Sequence, residues 1–179
     1  QVNSADGWLV TGSRFGVYEE HSWIKLLEAF LKEAYRQSVP IVGVCFGHQI
    51  LAQALGGKVE KFDAGWSVGM VDYAVKSMSE PVCLAAWHQD QIVEPPASAE
   101  VVASTDFCQY AMLAYGDRAL SIQPHPEFSS DFFADLLEAR RDILPEPVVA
   151  RALKGLTGKL SSSVIADQFE AFFKKNRDD

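Results

Sequence analysis

The nine residues 41–49, Ile-Val-Gly-Val-Cys-Phe-Gly-His-Gln, constrain the fold of this 179-residue chain more than any other stretch. A short apolar run ends in Gly43-Val44-Cys45-Phe46-Gly47, and an Ala/Leu-rich segment of helical character follows at once. Glycines on either side of the central residue let a strand turn sharply into a helix and expose that residue at the tip of the turn. The pattern is a nucleophile elbow with cysteine in the place of serine. Cys45 then stands beside a helix N-terminus, whose partial positive charge favours thiolate over thiol. The competing reading is a small buried hydrophobe, the usual fate of a free cysteine.

A second segment completes the chemistry. Ala119-Leu120-Ser121-Ile122-Gln123 reads as a short strand that runs into Pro124-His125-Pro126-Glu127. The two prolines hold the backbone extended, so His125 is presented at a strand end rather than on a helix. Glu127, two residues on, falls on the same side if the chain stays extended. A cysteine, a histidine to take its proton and a carboxylate to orient the histidine form the thiol version of a catalytic triad. The chain order is nucleophile, base, acid. An α/β-hydrolase runs nucleophile, acid, base, and so fits poorly.

Gly43-Val44-Cys45-Phe46-Gly47-His48-Gln49 together with Gln123-Pro124-His125-Pro126-Glu127 resembles the class I, triad-type glutamine amidotransferases. Val10-Thr11-Gly12-Ser13 looks like the family's oxyanion loop, and Trp87-His88-Gln89-Asp90 resembles a further active-site segment. The similarity covers roughly residues 6–130 and is nearest to stand-alone proteins related to the amidotransferase domain of GMP synthase. Plant γ-glutamyl peptidases belong to the same neighbourhood. The resemblance implies a flavodoxin-like three-layer α/β sandwich around a mixed, mostly parallel sheet. It implies catalytic Cys45, His125 and Glu127, and an oxyanion hole from the backbone N–H groups of Gly12 and Phe46. It also implies Gln49 against the α-amino or α-carboxylate end of glutamine, with Trp87 and His88 near the same end. For Gln49 the alternative is an exposed polar helix residue.

The rest of the chain alternates as an α/β domain should. Strand Trp8–Val10 leads through the loop 12–16 to a helix of about four turns, with Ser22 as a plausible cap. Trp23, Leu27, Phe30 and Ala34, with Ile24 and Leu31, give its apolar stripe. The helix after Cys45 closes at Gly56-Gly57. Short β runs follow at Val71–Val75, Val82–Trp87, Val101–Ala103 and Tyr110–Tyr115, with Gly116-Asp117 as a turn. A helix near Asp131–Arg140, capped by Ser130, carries Phe132, Phe133, Leu136 and Leu137, and Pro145 and Pro147 break it. A last amphipathic helix covers Val164–Lys175. One domain over residues 1–179 is expected. Family members carry a strand, helix and strand before Trp8, so that unit is expected to be missing from this sequence.

Composition adds exclusions. A net charge of −8 without any basic stripe speaks against nucleic acid. Three cysteines, Cys45, Cys83 and Cys108, are an odd number at no metal-ligand spacing, which favours a reduced, cytoplasmic setting. No run approaches the ~18 apolar residues of a membrane span. No metal and no cofactor are expected. His48, three residues from Cys45, points away from the thiol in helical geometry and reads as structural, and His21 as a solvated surface group. Arg14, the cation of the oxyanion loop, could meet a substrate carboxylate or pair with Glu19 or Glu20.

A carboxamide is a poor electrophile with a poor leaving group, so its cleavage needs an activated nucleophile and a stabilised oxyanion. His125 would deprotonate Cys45 and protonate the departing ammonia, and water would hydrolyse the glutamyl thioester. Three functions remain open on these residues. The first is a glutaminase supplying ammonia to an acceptor such as a separate synthetase chain. The second is a γ-glutamyl peptidase using the same triad on γ-glutamyl compounds. The third is a non-catalytic or partner-activated regulatory subunit.

Overall fold

The computed structural model of the chain describes residues 1–175. In chain order its elements are β1 (Trp8–Val10), α1 (Ser22–Arg36), β2 (Ile41–Val44), α2 (Phe46–Ala54), β3 (Lys58–Lys61), β4 (Ser67–Val75) and β5 (Val82–His88). There follow β6 (Asp90–Glu94), β7 (Glu100–Ser104), β8 (Met112–Ala114), β9 (Ala119–Ile122), α3 (Ser130–Arg140), α4 (Glu146–Gly155) and α5 (Ser162–Lys175). Seven strands form one mixed sheet in the order β1-β2-β9-β8-β7-β4-β5, and β3 pairs with β6 in a separate ribbon.

Three layers result from period-two alternation along the strands. Ile41 of β2, Leu113 of β8 and Ala119 of β9 face α1 and α2, where Ile24, Leu31, Ile50 and Leu51 are fully or almost fully buried. Val44, Met112 and Ile122, from the same three strands, face the other way onto Ile165 of α5. Farther along the sheet, Val68 and Ala85 pack against Phe133 and Leu137 of α3 and Val149 and Ala152 of α4. The helix–sheet–helix sandwich expected for a flavodoxin-like fold is therefore present, and its parallel part is the trio β1-β2-β9 on one side of the sheet.

The balance of pairing differs from the mostly parallel expectation. Beyond β9 the pairings β9–β8, β8–β7, β7–β4 and β4–β5 are all antiparallel. The reason lies in the connections. A parallel neighbour requires a crossover of a dozen residues or more, such as α1 between β1 and β2. Between β4 and β9 no helix intervenes, and turns as short as residues 115–118 can only return the chain antiparallel.

Several local expectations shift by a residue or a role. Ser22 is the first residue of α1 rather than its cap; His21 occupies the cap position and makes no side-chain capping bond. Ser129, not Ser130, caps α3, its Oγ accepting from the Phe132 N–H at 3.1 Å. Phe133 and Leu137 are buried by α3, whereas Phe132 is 50% exposed. Pro145 and Pro147 do end the preceding helical stretch, but they also start α4, where a missing N–H costs nothing. No helix among the described residues is long and apolar enough to cross a membrane.

Candidate active site

The elbow is built as its glycines require. Cys45 sits between β2 and α2 with φ 52° and ψ −104°, a left-handed conformation rare for a residue with a side chain. Such strain costs on the order of 1–3 kcal/mol and persists only where the surroundings over-determine it. Here they do. The Cys45 N–H donates to the Ile122 carbonyl at 2.9 Å, and its carbonyl accepts from Gln49 N–H at 3.1 Å. A Cβ on Gly43 would lie 2.5 Å from the Gly47 carbonyl oxygen, and one on Gly47 would lie 2.1 Å from the Val10 carbonyl oxygen. Backbone against backbone leaves no room for either.

His125 reaches the same point from β9. Its backbone N–H donates to the Ala85 carbonyl at 2.8 Å in an isolated bridge to β5. The segment then turns instead of staying extended, and the Phe128 N–H closes onto the His125 carbonyl at 3.3 Å. The turn brings Glu127 back to the ring. His125 Nδ1 donates to Glu127 Oε1 at 2.6 Å, and the ring stacks on Phe128 with centroids 4.1 Å apart. Burial pushes the imidazolium down, but hydrogen bonds to Cys45 and Glu127 and their charges outweigh it and lift His125 to about 9. Gly12 closes the group. A Cβ there would stand 3.1 Å from His125 Cε1 and 3.6 Å from the Cys45 Cβ. Phe46, as the first residue of α2, keeps a backbone N–H with no acceptor inside the helix.

The remaining expected residues divide. Gln49 is buried, not an exposed helix residue, and its Nε2 donates to the Asp90 carbonyl and to Gln123 Oε1, each at 3.0 Å. Its Oε1 is therefore the atom left for a ligand. His88 is buried, with Nδ1–H donating to the Asp90 carbonyl at 3.2 Å and Nε2 sealed without a partner; burial takes it down to about 4. Trp87 turns its ring edge-on to Phe133 at 5.9 Å, inside the apolar cluster that also holds Phe128. Its side chain packs; the segment's polar offering to the site is backbone. His48 faces β9 as its structural reading requires. Nε2–H donates to the Tyr110 carbonyl at 2.9 Å, so Nδ1 accepts from the Ser121 hydroxyl at 2.7 Å. Burial lowers His48 to about 3.

Gln123, which orients Gln49, and Phe128, which backs the imidazole, escaped the sequence reading as site residues. Gln123 shares a face of the β9 segment with Ser121, and that period-two spacing was the available signal. Among the described residues no cluster of three His, Cys, Asp or Glu side chains is placed to hold a metal ion.

Comparison with known proteins gives this arrangement a context. The sequence model of the family described as glutamine amidotransferase class-I matches residues 4–139. Gamma-glutamyl peptidase 5 of Arabidopsis thaliana is 30% identical over 149 residues, covering 76% of this chain and 59% of that protein. A GMP synthase [glutamine-hydrolyzing] of Thermus thermophilus is 31% identical over 140 residues, covering 67% of this chain and 27% of that protein. The chain spans about three fifths of the length of the γ-glutamyl peptidases it matches. In fold it resembles a glutamine amidotransferase of Thermotoga maritima, with a TM-score of 0.72 at 21% identity over 96% of this chain and 78% of that one.

Proposed function

We propose, on the premise that this chain belongs to the glutamine amidotransferase class-I family, that it hydrolyses the γ-amide of a glutamine-type substrate through Cys45. The observation that carries this reading is the convergence of a left-handed Cys45 at a strand–helix junction and a buried His125 between that thiol and Glu127.

His125, hydrogen-bonded to both Cys45 and Glu127, is the base placed to take the proton of the thiol. The sulfur attacks the γ-carbonyl carbon, forming a C–S bond, and the carbonyl electrons move to oxygen. The N–H groups of Gly12 and Phe46 receive that oxyanion; losing one such donor typically costs on the order of 100-fold or more in rate. As the C–N bond breaks, His125 Nε2–H gives its proton to the leaving nitrogen. Water then loses a proton to His125 and attacks the thioester, releasing glutamate and restoring the pair. Glu127 holds Nδ1–H throughout and keeps Nε2 directed at the chemistry. Gln49 Oε1 and the backbone of Trp87–Asp90 serve the glutamyl end.

The relatives support the γ-glutamyl half of the substrate and leave the amine open: their printed names span γ-glutamyl peptidases and glutamine-hydrolysing synthases. An ammonia acceptor would lie outside residues 1–179, which contain no Gly-rich nucleotide loop. The test is glutamate release from glutamine and from γ-glutamyl dipeptides by the full-length protein, with Cys45→Ala as control. Release that the variant abolishes supports the reading. Release that survives Cys45→Ala refutes Cys45 as the nucleophile, and no release from any substrate refutes the hydrolase and leaves a regulatory subunit.

A further inference from the structure

Two roles are open to Arg14 from the sequence, a surface ion pair and a substrate contact. The surface pair is not made. Glu19 is taken by the Gly16 N–H at 2.6 Å and by His21 at 3.0 Å, and Arg14 forms no ion pair among the described residues. Its guanidinium lies instead over the Phe15 ring, 4.8 Å from the centroid. Phe15 meets the His21 ring edge-on at 4.6 Å and the Trp23 ring at 5.8 Å, and His21 stacks on Trp23 at 6.1 Å. Trp23 in turn contacts Phe46 at 5.6 Å.

This aromatic shelf is attached to the site at both ends. Arg14 is two residues from Gly12, at most ~7 Å along the chain, and Gly12 borders both Cys45 and His125. Phe46 is the residue after the nucleophile. Yet the shelf is not core: Trp23, on the expected apolar stripe of α1, remains 39% exposed. An exposed aromatic face with an uncommitted guanidinium on top suits a ligand that is apolar and carries a carboxylate.

Building on the reading that Cys45 forms a γ-glutamyl thioester, we propose that the amine released is an α-amino acid with an aromatic or large apolar side chain. Its carboxylate is received by Arg14 and its side chain by the Phe15–Trp23 shelf. In such a γ-glutamyl amino acid the carboxylate stands two bonds from the scissile nitrogen, close enough to be read beside the reacting centre. The balance is that of hydrolysis. The C–N bond breaks, the amino nitrogen takes the proton of His125, and water supplies the hydroxyl to glutamate. Ammonia, the leaving group of glutamine, has nothing for either half of the shelf to hold.

The test compares γ-glutamyl-phenylalanine with γ-glutamyl-phenylalaninamide, which differ only in the carboxylate. The full-length wild-type protein is expected to favour the acid in kcat/KM on the order of 10-fold. Arg14→Gln collapses that preference towards unity, and Arg14→Lys restores part of it. Trp23→Ala is expected to narrow the advantage of γ-glutamyl-phenylalanine over γ-glutamyl-alanine. Equal rates on acid and amide, or a preference that survives Arg14→Gln, overturn the assignment while Cys45-dependent turnover stands. Calorimetric binding of the two dipeptides to the Cys45→Ala protein reads the same preference without turnover. If no substrate is cleaved, the acylation reading fails, and equal binding of the two dipeptides still overturns the assignment to Arg14 separately.

Discussion

His125 and the pair His48 and His88 are all buried, yet their surroundings drive them to opposite protonation states. Burial depresses all three. At His48 the neighbours are a carbonyl and a hydroxyl, and at His88 a carbonyl, so desolvation wins and the rings stay neutral. At His125 the neighbours are a thiol group and a carboxylate, and desolvation loses. The charge a buried imidazole carries is thus decided by what it touches, because hydrogen bonding to an anion stabilises the cation that desolvation penalises. His125 is arranged for proton transfer, whereas His48 fixes α2 to β9.

The sharpest way to break this contrast is to remove the sulfur. Cys45→Ala is expected to abolish glutamate release, and NMR titration should then find His125 deprotonating well below about 9. A ring that still titrates near 9 in the variant would mean that Glu127 alone sets the contrast. A second, smaller effect concerns the carboxylate. The Glu127 side chain is 49% exposed, so solvent screens part of its hold on Nδ1. Glu127→Gln should therefore retain measurable turnover and lose less than the ~10²–10⁴-fold worth of a full acid–base partner. Loss as complete as that of Cys45→Ala would contradict an orienting role.

The same contrast explains what the sequence disclosed. Cys45 and His125 were legible because each lies in a stretch of special backbone: two glycines that tolerate no Cβ, and two prolines that present a ring. Glu127 reaches Nδ1 through a turn rather than through the extended chain expected of the two prolines. Gln123 and Phe128 carry no such local mark; they matter through long-range contacts with Gln49 and His125. The ribbon β3–β6 was missed for a related reason. Lys58-Val59-Glu60-Lys61 and Asp90-Gln91-Ile92-Val93-Glu94 are too polar to read as strands alone, and only their pairing makes them so. The α1 cap and the start of α4 turn on single-residue choices, where side-chain bonding and proline position decide.

Gly47→Ala tests how far the active region depends on close backbone approach. The added methyl would sit 2.1 Å from the Val10 carbonyl oxygen, so β1 or the elbow must move. Overpacking of this kind typically costs ~1–3 kcal/mol, and the displaced Cys45 should lose turnover beyond what thermal melting accounts for. A variant with normal kinetics and normal melting would show that the elbow relaxes freely.

The mildest prediction sharpens the contrast through stability. His48 titrates near 6.5 when unfolded and at about 3 when folded, and His88 at about 4 when folded. Between those values the unfolded chain binds protons that the native chain refuses, so native stability rises with pH across this window. Their contribution is fully present above about 6.5 and is lost as pH falls, at about 1.4 kcal/mol per pH unit for each ring. His48→Gln forfeits buried hydrogen bonds and should be less stable at pH 7 by ~1–3 kcal/mol. Its dependence on pH, however, should be shallower by one ring's share. Denaturant unfolding at a series of pH values from 5 to 7 separates the two effects, because a packing defect shifts every midpoint alike whereas a lost titration changes their slope. An unchanged slope would mean that His48 is protonated in the native protein, and the opposition between the two regions would not hold.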